Sequence, residues 1–220
     1  MSKEIVAVVG GTGKEGSGLV MRLARAGNSV IVGSREKEKA ERKAREFSEK
    51  SGADITGTTN AEAVKQARIV ILTVPSLSHK DMLAQLKNEL LDGEKIFVDT
   101  TIFLDHENFS KLKLPEEGSA ALQTQAILGN NFPIVCAFQN ISSVSLNHLD
   151  KEIHADVLVC GNNADAEKKI MDIISAMKMH PLDCGDLSAC ATLEALTSLL
   201  LTMCRIYKVK DAGIKITGIP

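Results

Sequence analysis

Aromatic residues are scarce in this 220-residue sequence, which has no tryptophan, one tyrosine and six phenylalanines. Proteins that bind single-stranded nucleic acid usually present several aromatic rings on which bases stack. The charge offers no support for such a ligand either, because a net charge of −2 provides no basic field over the surface. We therefore expect no nucleic-acid partner and look instead for a small-molecule substrate.

The sequence also lacks a long uninterrupted apolar run. The longest apolar stretch, residues 193–204, contains Glu194 and several hydroxyl side chains, whereas a membrane-spanning helix needs about 20 mainly apolar residues. The apolar run at residues 5–9 is shorter than the apolar core of a secretion signal and ends in glycines. These observations predict a soluble, cytoplasmic protein without a membrane partner.

No Cys-x-x-Cys pair is present among the five cysteines. Cys136, Cys160, Cys184, Cys190 and Cys204 are scattered along the chain, and their number is odd. In a cytoplasmic protein this pattern is typical of buried reduced thiols rather than of disulfides or zinc ligands. We therefore expect thiols at these positions and no metal site.

Strand-like and helix-like segments alternate through the first half of the chain. Short apolar runs, which are typical of parallel strands buried on both faces, occupy residues 5–9, 30–32, 55–58, 69–74 and 96–98. Segments of helical periodicity separate them. This alternation predicts an α/β fold of the Rossmann type, with a doubly wound and mostly parallel sheet.

The second half is less regular but continues the pattern. Strands are predicted at residues 134–138 and 157–160, and helices at residues 120–128, 165–177 and 187–207. We expect a Rossmann domain over residues 1–133 and a small carboxyl-terminal α/β domain over residues 134–220, packed on the first and carrying substrate or dimer contacts. The apolar helix at 187–207 favours burial or a subunit contact, and we expect a homodimer.

A Gly-x-Gly-x-x-Gly motif follows the first predicted strand and opens the first predicted helix. Its members are Gly11, Thr12, Gly13, Lys14, Glu15 and Gly16. Gly11 permits the tight turn, Gly13 lets the backbone approach a diphosphate, and Gly16 lets the helix pack on the strand. The diphosphate then accepts hydrogen bonds at the positive end of the helix. In this context the motif predicts dinucleotide binding; the alternative is a glycine-rich turn without a ligand.

The end of the second predicted strand selects the nucleotide. An NAD site usually has an acidic residue there, which binds the ribose 2′-hydroxyl. This chain instead has Ser34 and Arg35, with Lys39 one helical turn later. A hydroxyl, a guanidinium and an ammonium suit a 2′-phosphate dianion, which predicts NADP(H). The alternative is that Arg35 and Lys39 merely belong to a solvated, charged helix.

Several segments together resemble one known family. The loop at residues 9–13, the turn at residues 32–35 and the segment at residues 72–75 are similar to those of the NADP oxidoreductases that depend on the deazaflavin coenzyme F420. The similarity extends to residues 213–215 near the carboxyl end. It implies a Rossmann domain with a small domain folded over it, and direct hydride transfer between NADP(H) and F420 in the cleft between them, without a metal.

The resemblance also assigns residues to the nucleotide site. By this resemblance, Thr12 to Glu15 contact the diphosphate, and Ser34, Arg35 and Lys39 hold the 2′-phosphate. Ser76 and Lys80 lie beside the cofactor, and Ala137 approaches the nicotinamide amide. The chain departs from the family at residues 139–142, where Gln-Asn-Ile-Ser replaces His-Thr-Ile-Pro, and in the acidic segment 99–105. Both segments are expected to face the second substrate.

The sequence contains only weak candidates for a catalytic residue. Hydride transfer between the two cofactors needs little proton transfer from the protein, whereas a ketone or imine substrate requires a proton donor. Candidates for that role at the strand ends are His79, Asp99, Thr100 and Gln139. Asp99 is the better candidate because it ends a buried strand, and for His79 a surface position at a helix start is favoured over a role in the site. Glu194 either bonds the substrate or the partner domain, or lies on an exposed helix face.

Two other functions stay open on the same scaffold. One is an NADPH-dependent reductase of another small acceptor, such as a ketone, an imine or a flavin. The other is a dinucleotide-sensing module without enzymatic activity.

Overall fold

The computed structural model describes residues 4–105, 107–108 and 111–219. Its strands are β1 (Ile5–Val9), β2 (Ser29–Ser34), β3 (Ile55–Thr59), β4 (Ile69–Leu72), β5 (Ile96–Asp99), β6 (Ile134–Ala137), β7 (Asp156–Gly161) and β8 (His180–Asp186). Its helices are α1 (Lys14–Arg25), α2 (Lys37–Ser51), α3 (Asn60–Gln66), α4 (His79–Leu91), α5 (Ala120–Leu128), α6 (Ser143–Asn147), α7 (Ala164–Ala176) and α8 (Cys190–Tyr207). Short 3₁₀ turns precede α4 and α8, at Ser76–Ser78 and Leu187–Ala189.

All eight strands form one sheet, in the order β3-β2-β1-β4-β5-β6-β7-β8. The six strands from β3 to β6 run parallel, β7 is antiparallel to β6, and β8 is parallel to β7. The chain leaves β1 toward β2 on one side and later returns to β4 on the other. This reversal makes a switch point between β1 and β4, where ligands bind beyond the carboxyl ends of the strands.

The sheet is covered on both faces, which explains its apolar strands. Successive side chains of a strand point to opposite faces. Val6 and Val8 pack into one core cluster with α1, α2 and α7, whereas Ala7 and Val9 pack into another with α3 and α4. All four side chains are fully buried. The prediction of a doubly wound, mostly parallel α/β fold is confirmed.

The sheet continues through the expected domain boundary at residue 133. Val98 of β5 pairs with Val135 of β6, so the strand that opens the second half is hydrogen-bonded to the last strand of the first half. The division into residues 1–133 and 134–220 stays a prediction. The two halves share one sheet across that position.

The structure adds two elements that the sequence pattern did not predict. The helix α6 is a five-residue helix, and β8 is an edge strand whose sequence, His-Pro-Leu-Asp-Cys-Gly-Asp, contains a proline and few apolar residues. An edge strand tolerates proline because one side of its backbone has no neighbour to bond. Its weak apolar pattern follows from that position.

The expectation for the cysteines is wrong for two of them. Cys136, on β6, and Cys190, at the start of α8, form a disulfide with their Cα atoms 6.3 Å apart. Cys160 lies opposite Cys136 on β7 and, like Cys184 and Cys204, is a free thiol. The pairing spans 54 residues, and only the packing of α8 against the sheet brings the two sulfurs together.

Candidate functional site

The glycine motif forms a tight turn between β1 and α1. The Gly11 N–H donates to the Val8 and Gly33 carbonyls, both at 3.1 Å, and the Gly13 N–H donates to the Gly10 carbonyl at 2.9 Å. Gly10 adopts a left-handed φ of +74°, which glycine adopts without steric cost. The turn therefore ties the end of β1 to the end of β2.

The three glycines of the motif have different surroundings. A Cβ atom on Gly11 would lie 2.8 Å from the Val8 carbonyl oxygen, and one on Gly16 would lie 2.7 Å from both the Gly11 Cα and the Thr73 Oγ1. A Cβ on Gly13 would meet only the Gly10 carbonyl oxygen, at 3.3 Å. Gly11 and Gly16 are thus required by packing, whereas Gly13 faces an open side of the loop.

The amino terminus of α1 has the features of a phosphate-binding site. Gly13 is its N-cap residue and makes no side-chain capping bond. The first N–H groups of a helix have no partner within the helix, and they carry the positive end of the helix dipole. A diphosphate fits this cradle, because it supplies acceptors for these groups where Gly13 leaves room.

A residue that the sequence reasoning missed supports the loop from below. The Asn60 side chain is buried, and its Oδ1 accepts a 3.3 Å hydrogen bond from the Gly10 N–H. A Cβ atom on Gly33 would lie only 2.7 Å from the same oxygen. Thr59 caps α3 by accepting from the Glu62 N–H, so the Asn60 side chain is not needed as the helix cap. Asn60 instead joins the ends of β1, β2 and β3.

The three residues predicted to hold a 2′-phosphate lie together at the end of β2. Ser34 is buried, and its Oγ accepts from the Glu36 N–H at 3.3 Å. Arg35 is exposed and Lys39 is half-buried. The ion pairs along α2 engage its other lysines, with the pairs Lys37–Glu41, Lys43–Glu46 and Lys50–Glu46. Among the described residues, Arg35 and Lys39 form no ion pair, which leaves both cations free for an anion.

Glu15 lies where the phosphate loop meets the end of β5. Its carboxyl lies near Thr100 and Asp99, and its removal from water raises the pKa of the carboxyl to about 7. Its Oε1 is buried without a hydrogen-bond partner among the described residues. This carboxyl therefore carries a proton over part of the neutral pH range.

Ser76, Lys80 and Ala137 surround the same edge of the sheet. Ser76 begins the 3₁₀ turn after β4, and Lys80 is exposed on the first turn of α4. Ala137 is the last residue of β6 and is fully buried. Phe138, which follows it, has a left-handed φ of +75° although it is a bulky buried residue. Strain of this kind is characteristic of functional sites.

Asp99 ends β5 in a fully buried network. Its carboxylate accepts from the Thr124 hydroxyl at 2.7 Å and from the Thr101 N–H at 3.0 Å, and it lies 2.9 Å from Nε2 of His79. The expectation of a surface position for His79 is wrong, because its side chain is fully buried. The 3₁₀ turn before α4 directs it inward, under the sheet edge.

Gln139 lies against the same network. Its side-chain Nε2 donates to the Asp99 backbone carbonyl at 2.8 Å, and its backbone carbonyl accepts from the Thr197 hydroxyl of α8 at 2.7 Å. Its Oε1 and the Thr101 Oγ1 are buried without hydrogen-bond partners in the part of the chain that the structure describes. Buried polar atoms normally have a partner, so unsatisfied atoms here mark the edge as a site.

Glu194 is buried, and the alternative of an exposed helix face is wrong. Its carboxylate accepts from the Ala120 N–H at 2.7 Å and from the Phe103 N–H at 3.1 Å. Burial raises the pKa of this carboxyl to about 7, although the two backbone donors oppose the shift. Glu194 thereby joins α8 to the start of α5 and to the segment after β5.

The sequence reasoning missed the polar residues of α5 that complete this network. Ser119, Gln123 and Thr124 are all buried, in a segment whose other residues are mostly apolar. Ser119 and Gln123 are four residues apart and share a face of the helix, which was the available signal for those two; Thr124 directly follows Gln123. The structure thus collects two groups of residues at one sheet edge, a nucleotide group at β1 and β2 and a buried polar group at β5 and β6.

The switch point, the uncapped glycine loop and the unpaired cations at the end of β2 define a Rossmann-type dinucleotide-binding protein. Comparison with known proteins specifies the family. Residues 5–102 match the model of the family described as NADP oxidoreductase, coenzyme F420-dependent. The F420-dependent NADP reductase of Methanocaldococcus jannaschii is 38% identical over 97% of this chain and 98% of its own length. That of Methanothermobacter marburgensis is 34% identical over 98% of this chain and 99% of its own length.

A solved structure agrees with this similarity. A protein from Arthrobacter sp. FB24, assigned as an F420-dependent NADP reductase, superposes with a TM-score of 0.82 over 98% of this chain and 100% of its own, at 19% identity. At that identity the superposition shows the fold. The chain belongs to the F420-dependent NADP oxidoreductase family, as the sequence resemblance implied.

Replacing Gly13 by valine tests the phosphate loop. We expect Gly13→Val to weaken NADPH binding by at least about tenfold, or about 1.4 kcal/mol, because the side chain occupies the open side of the loop. The extended backbone of Gly13, with φ of −77°, accepts valine, so the free energy of unfolding stays near the wild-type value. Urea unfolding and a fluorescence titration with NADPH measure the two quantities.

The matched variant is Gly16→Ala. Its Cβ meets backbone and the Thr73 hydroxyl at 2.7 Å, so we expect it to lower the free energy of unfolding by about 1–3 kcal/mol. Near-normal NADPH affinity in folded Gly13→Val would show that the motif is a turn without a ligand.

Proposed function

We propose that this protein transfers a hydride directly between NADP(H) and coenzyme F420. The observation that carries the proposal is the juxtaposition at one sheet edge of an uncapped phosphate loop, two unpaired cations and an adjoining buried polar surface. The full-length similarity to F420-dependent NADP reductases supports the choice of acceptor.

In this proposal the nucleotide binds along the ends of β1 and β2. The N–H groups at the start of α1 donate to the diphosphate, with contacts from Thr12 to Glu15. Ser34, Arg35 and Lys39 hold the 2′-phosphate, and the charge-assisted bonds of Arg35 supply most of the preference for NADP(H) over NAD(H). This order along the sheet directs the nicotinamide end toward β4 to β6, beside Ser76, Lys80 and Ala137.

When bound, the nicotinamide and the deazaflavin supply the hydride chemistry themselves. The contribution of the chain is to align two flat rings at reacting distance and to exclude water. The buried carboxylates at this edge fit that role, because those of Asp99 and Glu194 have their oxygens engaged by hydrogen bonds within the protein. Neither is placed as an exposed proton donor for a ketone or an imine.

We also infer that the protein is a cytoplasmic homodimer joined through α8. The segment Leu187–Tyr207 is long and apolar enough to span a membrane, but 39% of it is buried in the fold, including Glu194. Its other face exposes Leu199, Ile206 and Tyr207, with 54%, 66% and 68% of their surface accessible. An exposed apolar patch on a soluble protein is typical of a subunit contact.

Nucleotide choice tests the 2′-phosphate assignment. Replacing Arg35 by alanine is expected to remove about 1.5–3 kcal/mol of the preference for NADPH over NADH, the range for hydrogen bonds to charged groups. Arg45→Ala is the control, because Arg45 is exposed on α2 but lies further along the helix. Fluorescence titration with both nucleotides gives the affinities. If Arg35→Ala and Arg45→Ala lose the same amount of NADPH preference, Arg35 contributes only through the overall positive charge of the helix surface and does not bind the 2′-phosphate directly.

The acceptor is tested by mixing the protein with NADPH and purified F420. We expect the absorbance of oxidised F420 to disappear, with one NADPH consumed for each F420 reduced. If NADPH binds but F420 stays oxidised, the proposed acceptor is wrong. A panel of ketones, imines and flavins then tests the alternative reductase function.

The dimer is tested by a charge on the exposed face of α8. We expect Leu199→Glu to shift the sedimentation coefficient from that of a dimer to that of a monomer, because a carboxylate is costly in an apolar interface. Lys208→Glu, a charge change just beyond the helix, is the control. A wild-type protein that sediments as a monomer contradicts the inference.

A further inference from the structure

The buried pair His79–Asp99 has a protonation state that its hydrogen bonds determine. The Nε2 of Gln123 donates to the Glu117 carboxylate at 3.0 Å, so the Gln123 Oε1 is the atom that lies 2.9 Å from Nδ1 of His79. An amide oxygen only accepts, and Nδ1 must therefore carry a hydrogen. One nitrogen of the ring is thus fixed as a donor by a residue two elements away.

The second ring nitrogen faces an ionised carboxylate. Asp99 accepts from the Thr124 hydroxyl and the Thr101 N–H, and such donors stabilise the charged form of a carboxyl. An ionised Asp99 requires a hydrogen on Nε2 of His79. Both nitrogens then donate, and the ring is an imidazolium.

The acidic groups around the pair favour the charge on His79 but oppose the charge on Asp99. Glu194 on α8 and Glu117 before α5 lie near His79, Glu194 and Glu15 on α1 lie near Asp99, and Lys80 lies near Glu117. Burial opposes the charge on each partner, but the attraction between the two and their hydrogen bonds outweigh it, so the pKa of His79 is raised and that of Asp99 is lowered.

This pair touches every segment at the acceptor side of the edge. The Asp99 carboxylate accepts from the Thr101 N–H, and the backbone carbonyl of Asp99 accepts from the Gln139 side chain. The ring of Phe103 packs edge-on against that of His79, with centroids 5.7 Å apart. The buried ion pair therefore holds the segment after β5 against the start of α4, and the Asp99 backbone beside it bonds the residue that follows β6.

We propose that His79 and Asp99 are a positioning pair for the hydride acceptor: a buried imidazolium–carboxylate that holds the segment Thr101–Phe103 at the nicotinamide edge. The pair acts through this segment and makes no contact with the reacting atoms. The assignment of a kinetic role rests on the proposed function. It gives Asp99 a purpose that is not proton donation.

The kinetic test uses Asp99→Asn and His79→Gln in the full chain. We expect each variant to lower kcat with F420 by about 10- to 100-fold, the scale of a small misplacement of reacting groups, with the NADPH affinity little changed. The double variant is expected to lose no more than either single variant, because both break the same interaction. All rates are expressed per folded molecule, with the folded fraction taken from urea unfolding.

His180→Gln is the matched control. Nδ1 of His180 lies 2.9 Å from the buried Asp156, so this variant also breaks a His–Asp contact, but between β7 and β8. We expect wild-type kcat from it. A kcat for Asp99→Asn that matches this control, or losses that add in the double variant, would overturn the positioning role.

Two further measurements do not depend on F420 turnover. With ¹⁵N-labelled histidine, both ring nitrogens of His79 are expected to stay protonated well above the ordinary histidine pKa of about 6.5, and the ring is expected to become neutral in Asp99→Asn. Hydrogen exchange at the Thr101 and Phe103 amides is expected to accelerate in Asp99→Asn but not in His180→Gln.

These readouts separate the two hypotheses. If the wild type leaves F420 oxidised, the acceptor assignment fails, while a protonated ring and faster exchange in Asp99→Asn still support the pair. A neutral His79 in the wild type, or unchanged exchange in Asp99→Asn, overturns the pair whether or not F420 is reduced.

Discussion

The nucleotide half of this protein depends on the close approach of three backbone segments at the switch point of the sheet. The Gly11 N–H bonds to carbonyls of both β1 and the end of β2, and Gly16 touches the turn and Thr73 beyond β4. Side chains at these positions would separate the segments. Because these segments meet backbone to backbone, their contact sets the direction of α1. It thereby sets the direction of the N–H groups that we propose bind the diphosphate.

The part of the sheet edge at β5 and β6 is built on the opposite principle, with ionisable side chains in place of backbone contacts. Burying a carboxylate is unfavourable unless it is paired or hydrogen-bonded, and Asp99 and Glu194 meet that requirement by collecting donors from different elements. Asp99 draws on α4, α5 and the segment after β5, and Glu194 draws on α5 and that same segment. Each carboxylate therefore joins segments that apolar packing alone would leave free to shift.

The residues that follow β6 belong to the buried polar network. The sequence resemblance led us to expect histidine at position 139, and here the amide nitrogen of Gln139 donates to the Asp99 backbone carbonyl. The strained Phe138 before it turns the chain so that this contact forms. Gln139 lies inside the buried network at the end of β6, apart from the glycine loop and the residues at the end of β2.

Local patterns in the sequence were enough to predict the strands, most helices, the phosphate loop and the preference for NADP(H). Each of these depends on residues that are neighbours along the chain. Alternation of apolar runs and helical segments sufficed to predict the parallel sheet, and one motif with its strand and helix predicted a dinucleotide site. The tertiary structure alone decided the features that join distant residues. The Cys136–Cys190 disulfide, the burial of His79 and the inward position of Glu194 each depend on α4, α5 and α8 meeting the sheet edge, and no local pattern records which helices meet. The edge strand β8 escaped prediction for the same reason, since its place is fixed by the β7 backbone rather than by an apolar pattern of its own.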